Sequence, residues 1–292
     1  MKPAPFAYHR PETVDEALAL LAAHGADAKP LAGGQSLIPA MNFRLARPPV
    51  LVDLNRIAAL AYVRDDPNGL RIGSMTRQRA VERDPLVRRI APLLAEALPH
   101  VAHAQIRNRG TIGGSVAHAD PAGELPAVLL ALDAGFVARG PGGTRTVPAE
   151  RFFTGLFETA LAPAELLIEI AVPAMRAQTG WAFVEVARRH GDYALAGVAT
   201  TVTLDPAGRC HSARIALLGV GEGPALARRA AKSLAGEQPT DKVLKEVAAV
   251  AAAKDADPPG DIHASSAYRR QLIAVLTRRA LERAVARARE AA

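Results

Sequence analysis

Two pairs of adjacent glycines stand far apart in the chain, each next to side chains that donate hydrogen bonds. Gly33–Gly34 precedes an amide and a hydroxyl side chain, and Gly113–Gly114 lies between Thr111 and Ser115. Glycine lets the backbone turn with a positive φ and lets other groups approach closely, and successive N–H groups in such a turn suit a phosphate. One such pair predicts only a tight turn, whereas two pairs favour a site that holds both phosphates of a dinucleotide.

Two carboxylates follow the second glycine pair. Asp120 lies in a predicted loop, and Glu124 begins the apolar run "ELPAVLLALDA", which predicts a helix. A carboxylate at either position would accept a hydrogen bond from a ribose hydroxyl or from a ring N–H of the same ligand. The residues themselves leave open which of the two does so.

Two other patterns carry less chemistry. His100 and His103 are spaced for one face of a helix, but no third ligand accompanies them and a zinc site needs three or four, so we expect both to be solvated and predict no metal site. The segment "LLGVGEG" imitates the start of a nicotinamide-dinucleotide fingerprint. Pro224 stands where its third glycine would be, at a place that tolerates no side chain, so we expect no NAD there. Proline instead predicts the first residue of a helix.

Composition and charge restrict the class of protein. The chain has 292 residues, 49% of them hydrophobic and 22% charged, as in an ordinary globular protein. Its single cysteine, Cys210, excludes an internal disulfide and an iron–sulfur cluster held by this chain alone. The net charge of +7 comes with few aromatic side chains for base stacking, so we expect no nucleic acid partner. The sequence shows neither a transmembrane segment nor the apolar core of a signal peptide. We therefore expect a cytoplasmic protein, or one held at the inner face of the membrane by partners.

Short strands and helices are predicted to position the glycine pairs. Thr13 and Glu16 form a capping box for a first helix, which Gly25 ends. Asp84 as N-cap and Pro85 as first residue predict one helix running to about residue 102. Strands are predicted up to residue 32 and at 49–54, 69–75, 135–139, 145–148 and 165–173.

The second part of the chain has a different order of elements. The polar segment 175–180 is the predicted boundary between two domains. Beyond it, strands are predicted at 181–189, 194–205 and 213–220, and helices at 224–234, 240–253 and 266–289. Strands that precede helices in this way indicate an antiparallel sheet covered on one side, which is an α+β domain.

Three segments together carry a family resemblance. "AGGQSLIP", "IRNRGTIGGSVAHADPAGELPAVLLALDA" and "RRHGDYALAGVA" resemble the FAD-binding medium subunit of the molybdenum hydroxylases, the family of xanthine dehydrogenase and carbon monoxide dehydrogenase. The resemblance extends over nearly the whole chain and implies an α+β protein. It implies a two-lobed FAD-binding domain of the vanillyl-alcohol-oxidase (PCMH) type at 1–176, with lobes of about 1–57 and 58–176. A C-terminal α+β domain of the carbon monoxide dehydrogenase flavoprotein type, with a three-stranded antiparallel sheet and helices, would follow at 177–292.

The resemblance also implies a noncovalent FAD whose pyrophosphate lies along both glycine segments. Tyr193 would shield the flavin ring without acting as an acid or base, and Leu166 or Leu167 would flank the ring. Some family members carry Lys where Glu185 stands, so the flavin potential cannot be carried over. The remaining FAD contacts that it implies are Lys29, Leu31, Ala32, Gly33, Gly34, Gln35, Ser36, Leu37, Ala102, Ile106, Gly110, Thr111, Gly114, Ser115, His118, Asp120 and Glu124.

The resemblance implies a subunit of an oxidoreductase. A large molybdopterin-binding subunit would oxidise the substrate, and a small subunit with [2Fe–2S] clusters would carry the electrons to the FAD of this chain for delivery to an external acceptor. Molybdopterin and the [2Fe–2S] clusters would be bound only by the partner subunits. The resemblance also implies that the three kinds of subunit assemble as a dimer of heterotrimers. Two alternatives remain open: a self-contained FAD-dependent oxidase acting directly on an alcohol, and a flavin-binding assembly module that passes no electrons.

Overall fold

Three β-sheets of different size organise the chain. The structure is a computed structural model that describes residues 2–291. It contains a three-stranded sheet, a five-stranded sheet and a four-stranded sheet, with a separate two-stranded hairpin. We call the large ones the first, second and third sheets in chain order. Among the described residues, no helix combines the length and the apolar character needed to cross a membrane.

The first sheet is parallel and small. It contains β1 (Ala7–His9), β2 (Ala28–Leu31) and β3 (Val50–Asp53), with β3 in the centre. β1 has no counterpart among the predicted strands. Helix α1 (Val14–His24) connects β1 to β2, and its capping box and its end at Gly25 are confirmed. Helix α2 (Leu37–Asn42) follows the first glycine pair.

The second sheet is antiparallel and is surrounded by short helices. Its strands, in spatial order, are β4 (Val63–Asp66), β5 (Gly69–Gly73), β10 (Leu166–Pro173), β6 (Gly135–Gly140) and β7 (Gly143–Pro148). Its helices are α3 (Gln78–Arg83), α4 (Pro85–Ile90), α5 (Pro92–Ala97), α6 (Ala104–Arg107), α7 (Ile112–His118), α8 (Glu124–Ala131) and α9 (Ala149–Phe152). The hairpin of β8 (Phe153–Gly155) and β9 (Glu158–Thr159) follows α9.

The single long helix predicted from Asp84 is wrong beyond its first turns. Asp84 caps α4 by accepting a hydrogen bond from the Leu86 N–H, as predicted. The helix ends at Ile90, because Ala91 leaves the helical conformation with φ −129° and ψ 59° ahead of Pro92. Proline disfavours a helical residue before it and lacks the N–H of an interior position, so Pro92 begins a new helix, α5, instead.

The third sheet has one strand more than predicted. Its antiparallel strands are β11 (Thr179–Ala187), β12 (Ala194–Leu204), β13 (Cys210–Leu218) and β14 (Ala225–Leu226). The expected helix start at Pro224 is wrong, because Ala225 and Leu226 pair with the end of β13 and form an edge strand. Proline is tolerated there because it precedes the hydrogen-bonded ladder. The helices that cover the sheet are α10 (Arg228–Leu234), α11 (Asp241–Val250), which continues as a π-helical turn over 251–255, and α12 (Ser266–Glu290).

Two helices hold the layers together. All eight residues of α8 are buried, and the helix packs between α5 and α7 on one side and the strands β12 and β13 on the other. Helix α12 lies against β11 so closely that a Cβ added to Gly180 would come within 1.8 Å of the Ala284 carbonyl oxygen. Alanines on the buried face of α12 allow this approach, which gives a structural reason for the alanine-rich C-terminal region.

Candidate functional site

The two glycine segments meet in the structure. A Cβ added to Gly33 would lie 2.5 Å from the Arg109 carbonyl oxygen and 2.7 Å from Gly110 Cα. A Cβ added to Gly114 would lie 3.2 Å from the Cβ of Ala32. The absence of side chains at these glycines therefore allows two distant parts of the chain to touch backbone to backbone.

The first glycine segment presents a row of backbone donors. Gly34 has a φ of +74°, and the Gln35 side-chain amide donates to the Gly33 carbonyl at 3.1 Å, which fixes the turn. Across residues 2–291, no protein group accepts a hydrogen bond from the N–H groups of Gly33, Gly34, Gln35 or Ser36. Neighbouring N–H groups without a protein acceptor suit an anionic oxygen, above all a phosphate.

The second glycine segment differs from the open turn that the sequence suggested. Gly113 and Gly114 form part of the first turn of α7, which Thr111 caps through its hydroxyl oxygen. The N–H groups of this turn already have protein acceptors: Ile112 donates to Thr76, Gly113 to Ser74, and Gly114 and Ser115 to Thr111. This segment therefore offers close approach and the hydroxyl groups of Thr111 and Ser115 rather than free backbone donors.

A network of polar side chains contacts the backbone next to the first glycine segment. Asn55 donates to the Ala32 carbonyl at 2.9 Å, and Arg77 donates to the Asn55 side chain at 2.6 Å. Buried Asp53 accepts hydrogen bonds from Tyr8 and Asn55. Burial opposes ionisation of Asp53, but these hydrogen bonds outweigh it and hold its pKa below the ordinary value.

The network also lines a cavity of about 310 Å³ beside the glycine segment. Asp53, Asn55 and the exposed guanidinium-bearing Arg109 form its wall together with residues from 31–42. The sequence analysis missed all three. For Asp53 and Asn55 the signal was the run "VLVDLN", in which polar side chains end and follow a buried strand.

Tyr193 joins the third sheet to the site. It stands just before β12 and is 60% exposed, yet its hydroxyl lies near Asp120 and Ser36, and the charge of Glu124 acts on it. Enclosure of the hydroxyl by protein, followed by the charges of the two carboxylates, raises the pKa of Tyr193 to about 12, and Ser36 opposes the shift. Residues predicted from three separate segments thus surround one cleft.

Glu124 lies at the inner end of this cleft. It is the first residue of α8 and only 6% exposed. Burial and the neighbouring Glu185 raise the pKa of Glu124 to about 7, although His100 acts in the opposite direction. The Nδ1–H of His100 donates to Glu185 at 3.2 Å, and the centre of its ring lies 5.1 Å from that of Phe183. His100 is therefore only partly solvated, whereas His103 is exposed.

His118 occupies another part of the site. Its ring lies 5.1 Å from that of Phe157, at the tip of the β8–β9 hairpin. Burial lowers the pKa of His118 although Asp120 opposes this, and exposed Lys29 adds to the lowering. Phe157 is a neighbour that the sequence analysis did not anticipate.

The remaining residues predicted to contact FAD differ in how deeply they are buried. Leu166 and Leu167 are 3% and 5% exposed and belong to two different core clusters, so their contact with a flavin ring stays a prediction. Ala102 has a φ of +44°, and its carbonyl lies against Gly191 in the loop before Tyr193. Ile106 accepts hydrogen bonds from the N–H groups at 109 and 110 and so shapes the approach to the second segment. Leu31 and Leu37 flank the first glycine pair and are half-buried.

Comparison with known protein families accounts for nearly all of the chain. Residues 4–175 match the model described as the FAD binding domain in molybdopterin dehydrogenase, and residues 181–284 match the CO dehydrogenase flavoprotein C-terminal domain. The chain belongs to the FAD-binding subunits of the molybdenum hydroxylases. The family resemblance, the α+β fold and FAD as the cofactor of this chain are confirmed.

Individual relatives agree with this membership. The chain is 44% identical to the alpha subunit of the 6-hydroxypseudooxynicotine dehydrogenase complex of Paenarthrobacter nicotinovorans, over 99% of this chain and 97% of that protein. It is 42% identical to the carbon monoxide dehydrogenase medium chain of Hydrogenophaga pseudoflava, over 98% and 99%.

Solved structures agree as well. A carbon monoxide dehydrogenase from H. pseudoflava matches with a TM-score of 0.95 over 98% of this chain and 99% of that chain. Quinoline 2-oxidoreductase from Pseudomonas putida 86 matches with a TM-score of 0.93 at 37% identity, over 99% of each chain. Because its family consists of dehydrogenase subunits, this chain is part of an oxidoreductase.

Proposed function

We propose that this chain is the electron outlet of a molybdenum-containing hydroxylase. Its FAD accepts electrons from the [2Fe–2S] clusters of a small partner subunit and passes them to an external acceptor. The observation that carries this proposal is the row of unclaimed N–H groups at 33–36, seated against the second segment at Gly110. The single cysteine supports an external electron source, because this chain alone cannot hold an iron–sulfur cluster.

The residues of the cleft fit FAD in a definite orientation. The N–H groups at 33–36 would hold the pyrophosphate, with hydroxyl donors from Ser36, Thr111 and Ser115. Tyr193 would cover part of the flavin ring. Glu124, whose charge acts on Tyr193, would accept a hydrogen bond from a ring N–H or from the ribose of the cofactor. When bound, FAD supplies a store for one or two electrons, and the protein positions it.

The partners belong to the same proposal. Relatives are named as the medium chain or a subunit of a multi-subunit dehydrogenase, which supports a large molybdopterin-binding subunit and a small [2Fe–2S] subunit for this chain. We extend this to a dimer of heterotrimers in the cytoplasm, with any attachment to the inner face of the membrane made by partners. The division of the chain at residue 176 into FAD-binding and C-terminal domains is also part of the proposal.

Substitution of Gly33 tests the cofactor site. Gly33→Ala should weaken FAD binding by more than tenfold, about 1.4 kcal/mol, because the new methyl group would push the two segments apart. The measurement is the FAD content after gel filtration, with circular dichroism to show that the variant folds. Gly142→Ala is the matched control, since a Cβ there would meet nothing within 4 Å. A folded Gly33→Ala chain with a full complement of FAD would refute the site.

Electron transfer needs a separate experiment. In the reconstituted complex, substrate should reduce the flavin of this chain only when the iron–sulfur subunit is present. If the chain were a self-contained oxidase, an alcohol would reduce, and so bleach, the flavin of the isolated chain. If the chain were only an assembly module, its bound flavin would stay oxidised in the complete complex during turnover.

A further inference from the structure

Three ionisable side chains, which we call the line, lie behind Tyr193, and the proposed function uses only Glu124 among them. Glu124 stands at the start of α8, Glu185 on β11, and His100 in the single turn that follows α5. They come from both sides of the junction between the helices of the second sheet and the third sheet. Glu124 is the member at the cleft, where its charge acts on Tyr193, and His100 is the member with the most exposed side chain.

The middle member of the line has one oxygen free to pass a proton. Glu185 bonds His100 Nδ1 through Oε1 at 3.2 Å, and its side chain is only 5% exposed. Its other oxygen, Oε2, is buried and has no hydrogen-bond partner within residues 2–291. A buried carboxylate oxygen without a donor costs free energy, so the ion pair with His100 alone does not account for the position of Oε2.

The two ends of the line are in contact with different surroundings. The side chain of His100 is 36% exposed, and its ring lies 6.2 Å from that of exposed His190. Glu124 is nearly buried already, and a flavin ring beside Tyr193 would cover its remaining surface. Once the cleft is filled, Glu124 can exchange a proton with water only through the groups behind it.

Neighbouring charges act on the two ends of the line. The charges of Glu185, His100 and Asp120 act on the carboxyl group of Glu124. Burial and Glu185 raise the pKa of Glu124 to about 7. The hydrogen bond that His100 donates to Glu185, together with the charges of Glu185, Glu124 and Glu96, raises the pKa of His100 against the effect of burial. Groups that titrate near the working pH are suited to taking up and releasing protons.

We propose that His100, Glu185 and Glu124 conduct protons between solvent and the ring end of the cleft. The inference rests on the proposed function, because the flavin ring is the group that would take these protons. When Glu124 releases its proton to the cleft, the N–H bond at His100 Nδ1 breaks and an O–H bond forms on Glu185. The Glu185 carboxyl group then rotates, its O–H bond breaks and an O–H bond forms on Glu124. The imidazole ring turns its bare Nδ1 to solvent and takes a proton from water before it returns, so one proton enters for each one delivered.

The first test needs no flavin. The titration of His100 is followed by NMR in the full-length chain, in the unchanged protein, in Glu185→Gln and in Glu246→Gln, whose residue is exposed on α11. We expect the His100 midpoint to fall by about one pH unit in Glu185→Gln and to stay unchanged in the control. An unchanged midpoint in Glu185→Gln would overturn the path.

The second test follows protons and electrons separately in the FAD-loaded chain. Reduced methyl viologen donates electrons without protons, so a pH indicator in weak buffer reports proton uptake by the protein alone. We expect Glu185→Gln and His100→Gln to slow proton uptake on the order of 100-fold while the same amount of flavin is bleached. Undiminished proton uptake in both variants would overturn the path. An unchanged chain that retains no FAD would instead refute the proposed function.

Discussion

At the scale of single residues, Glu124 is the group whose protonation depends most on the fold. Its carboxyl group is buried at the head of α8, close to Glu185, and its pKa rises from an ordinary value of 4.5 to about 7. Between these two values the folded chain holds a proton that the unfolded chain releases. The free energy of unfolding therefore falls as the pH rises through this range, by about 3 kcal/mol for this group.

Glu124→Gln tests this dependence, because the amide has no proton to lose. Relative to the unchanged chain, the variant should gain up to about 3 kcal/mol in unfolding free energy between pH 4.5 and pH 8. Urea unfolding of the FAD-free chain at several pH values measures the difference. Glu246→Gln, on the exposed side of α11, should differ from the unchanged chain by the same amount at every pH. Parallel curves for Glu124→Gln and the unchanged chain would show that Glu124 titrates normally.

The sequence predicted the glycines of the site better than the polar residues around them. Two glycine pairs, each next to side chains that donate hydrogen bonds, favour a phosphate site, so Gly33 and Gly114 were recognisable as candidates. Asp53 and Asn55 were not, because their partners Tyr8 and Arg77 are distant in the chain and only the fold brings them together. Glu185 and His100 were missed in this role for the same reason.

At the scale of elements, the contact between β11 and α12 depends on the absence of a side chain at Gly180. The neighbouring positions on α12, Ala284 and Ala288, are buried and small. The added Cβ would lie 1.8 Å from one backbone atom and 2.5 Å from another, neither of which can move without displacing the helix. Helix and sheet are therefore fitted to each other over this stretch.

Gly180→Ala should accordingly destabilise the chain by about 3 kcal/mol or more, at the upper end of what single substitutions do. The midpoint of urea unfolding measures the effect. Gly221→Ala is a suitable comparison, since a Cβ there would meet nothing within 4 Å. Equal midpoints for the two variants would mean that α12 shifts without cost.

The elements that the sequence predicted correctly are those with local signals. The capping box at Thr13 and the cap at Asp84 act within a few residues of themselves. One error, the helix predicted beyond Ile90, has a local cause in Pro92, and another arose where a distant strand decides the outcome. Residues 225–226 were taken as helix because Pro224 is a good first helical residue, but the free edge of β13 pairs with them.

At the scale of the whole molecule, one carboxylate connects the two halves of the chain. Glu96 on α5 accepts hydrogen bonds from the Trp181 indole at 3.1 Å and from the Phe183 N–H at 3.2 Å. Arg287 on α12 pairs with the same carboxylate and also donates to the Trp181 carbonyl. Sequence analysis had no means of finding this junction, because its members are spread from residue 96 to residue 287.

Removal of this carboxylate should loosen the junction. Glu96→Ala leaves the Trp181 and Phe183 donors without their acceptor and should cost about 2 to 4 kcal/mol. Thermal unfolding measures the loss, and limited proteolysis between 174 and 178 reports on separation of the halves. Glu282→Ala, which removes only a surface pair with Arg278, should cost less than about 0.5 kcal/mol. Similar losses in both variants would show that Glu96 does not join the halves.

The unclaimed N–H groups at 33–36 also bear on how long this polypeptide lasts after synthesis. A ligand that binds only the folded form stabilises it in proportion to the logarithm of its concentration over the dissociation constant. Newly made chains that have not yet met the nucleotide are therefore the ones most exposed to quality-control proteases. Vitamin supply, through its effect on the cellular flavin pool, would set the abundance of this subunit without any change in transcription.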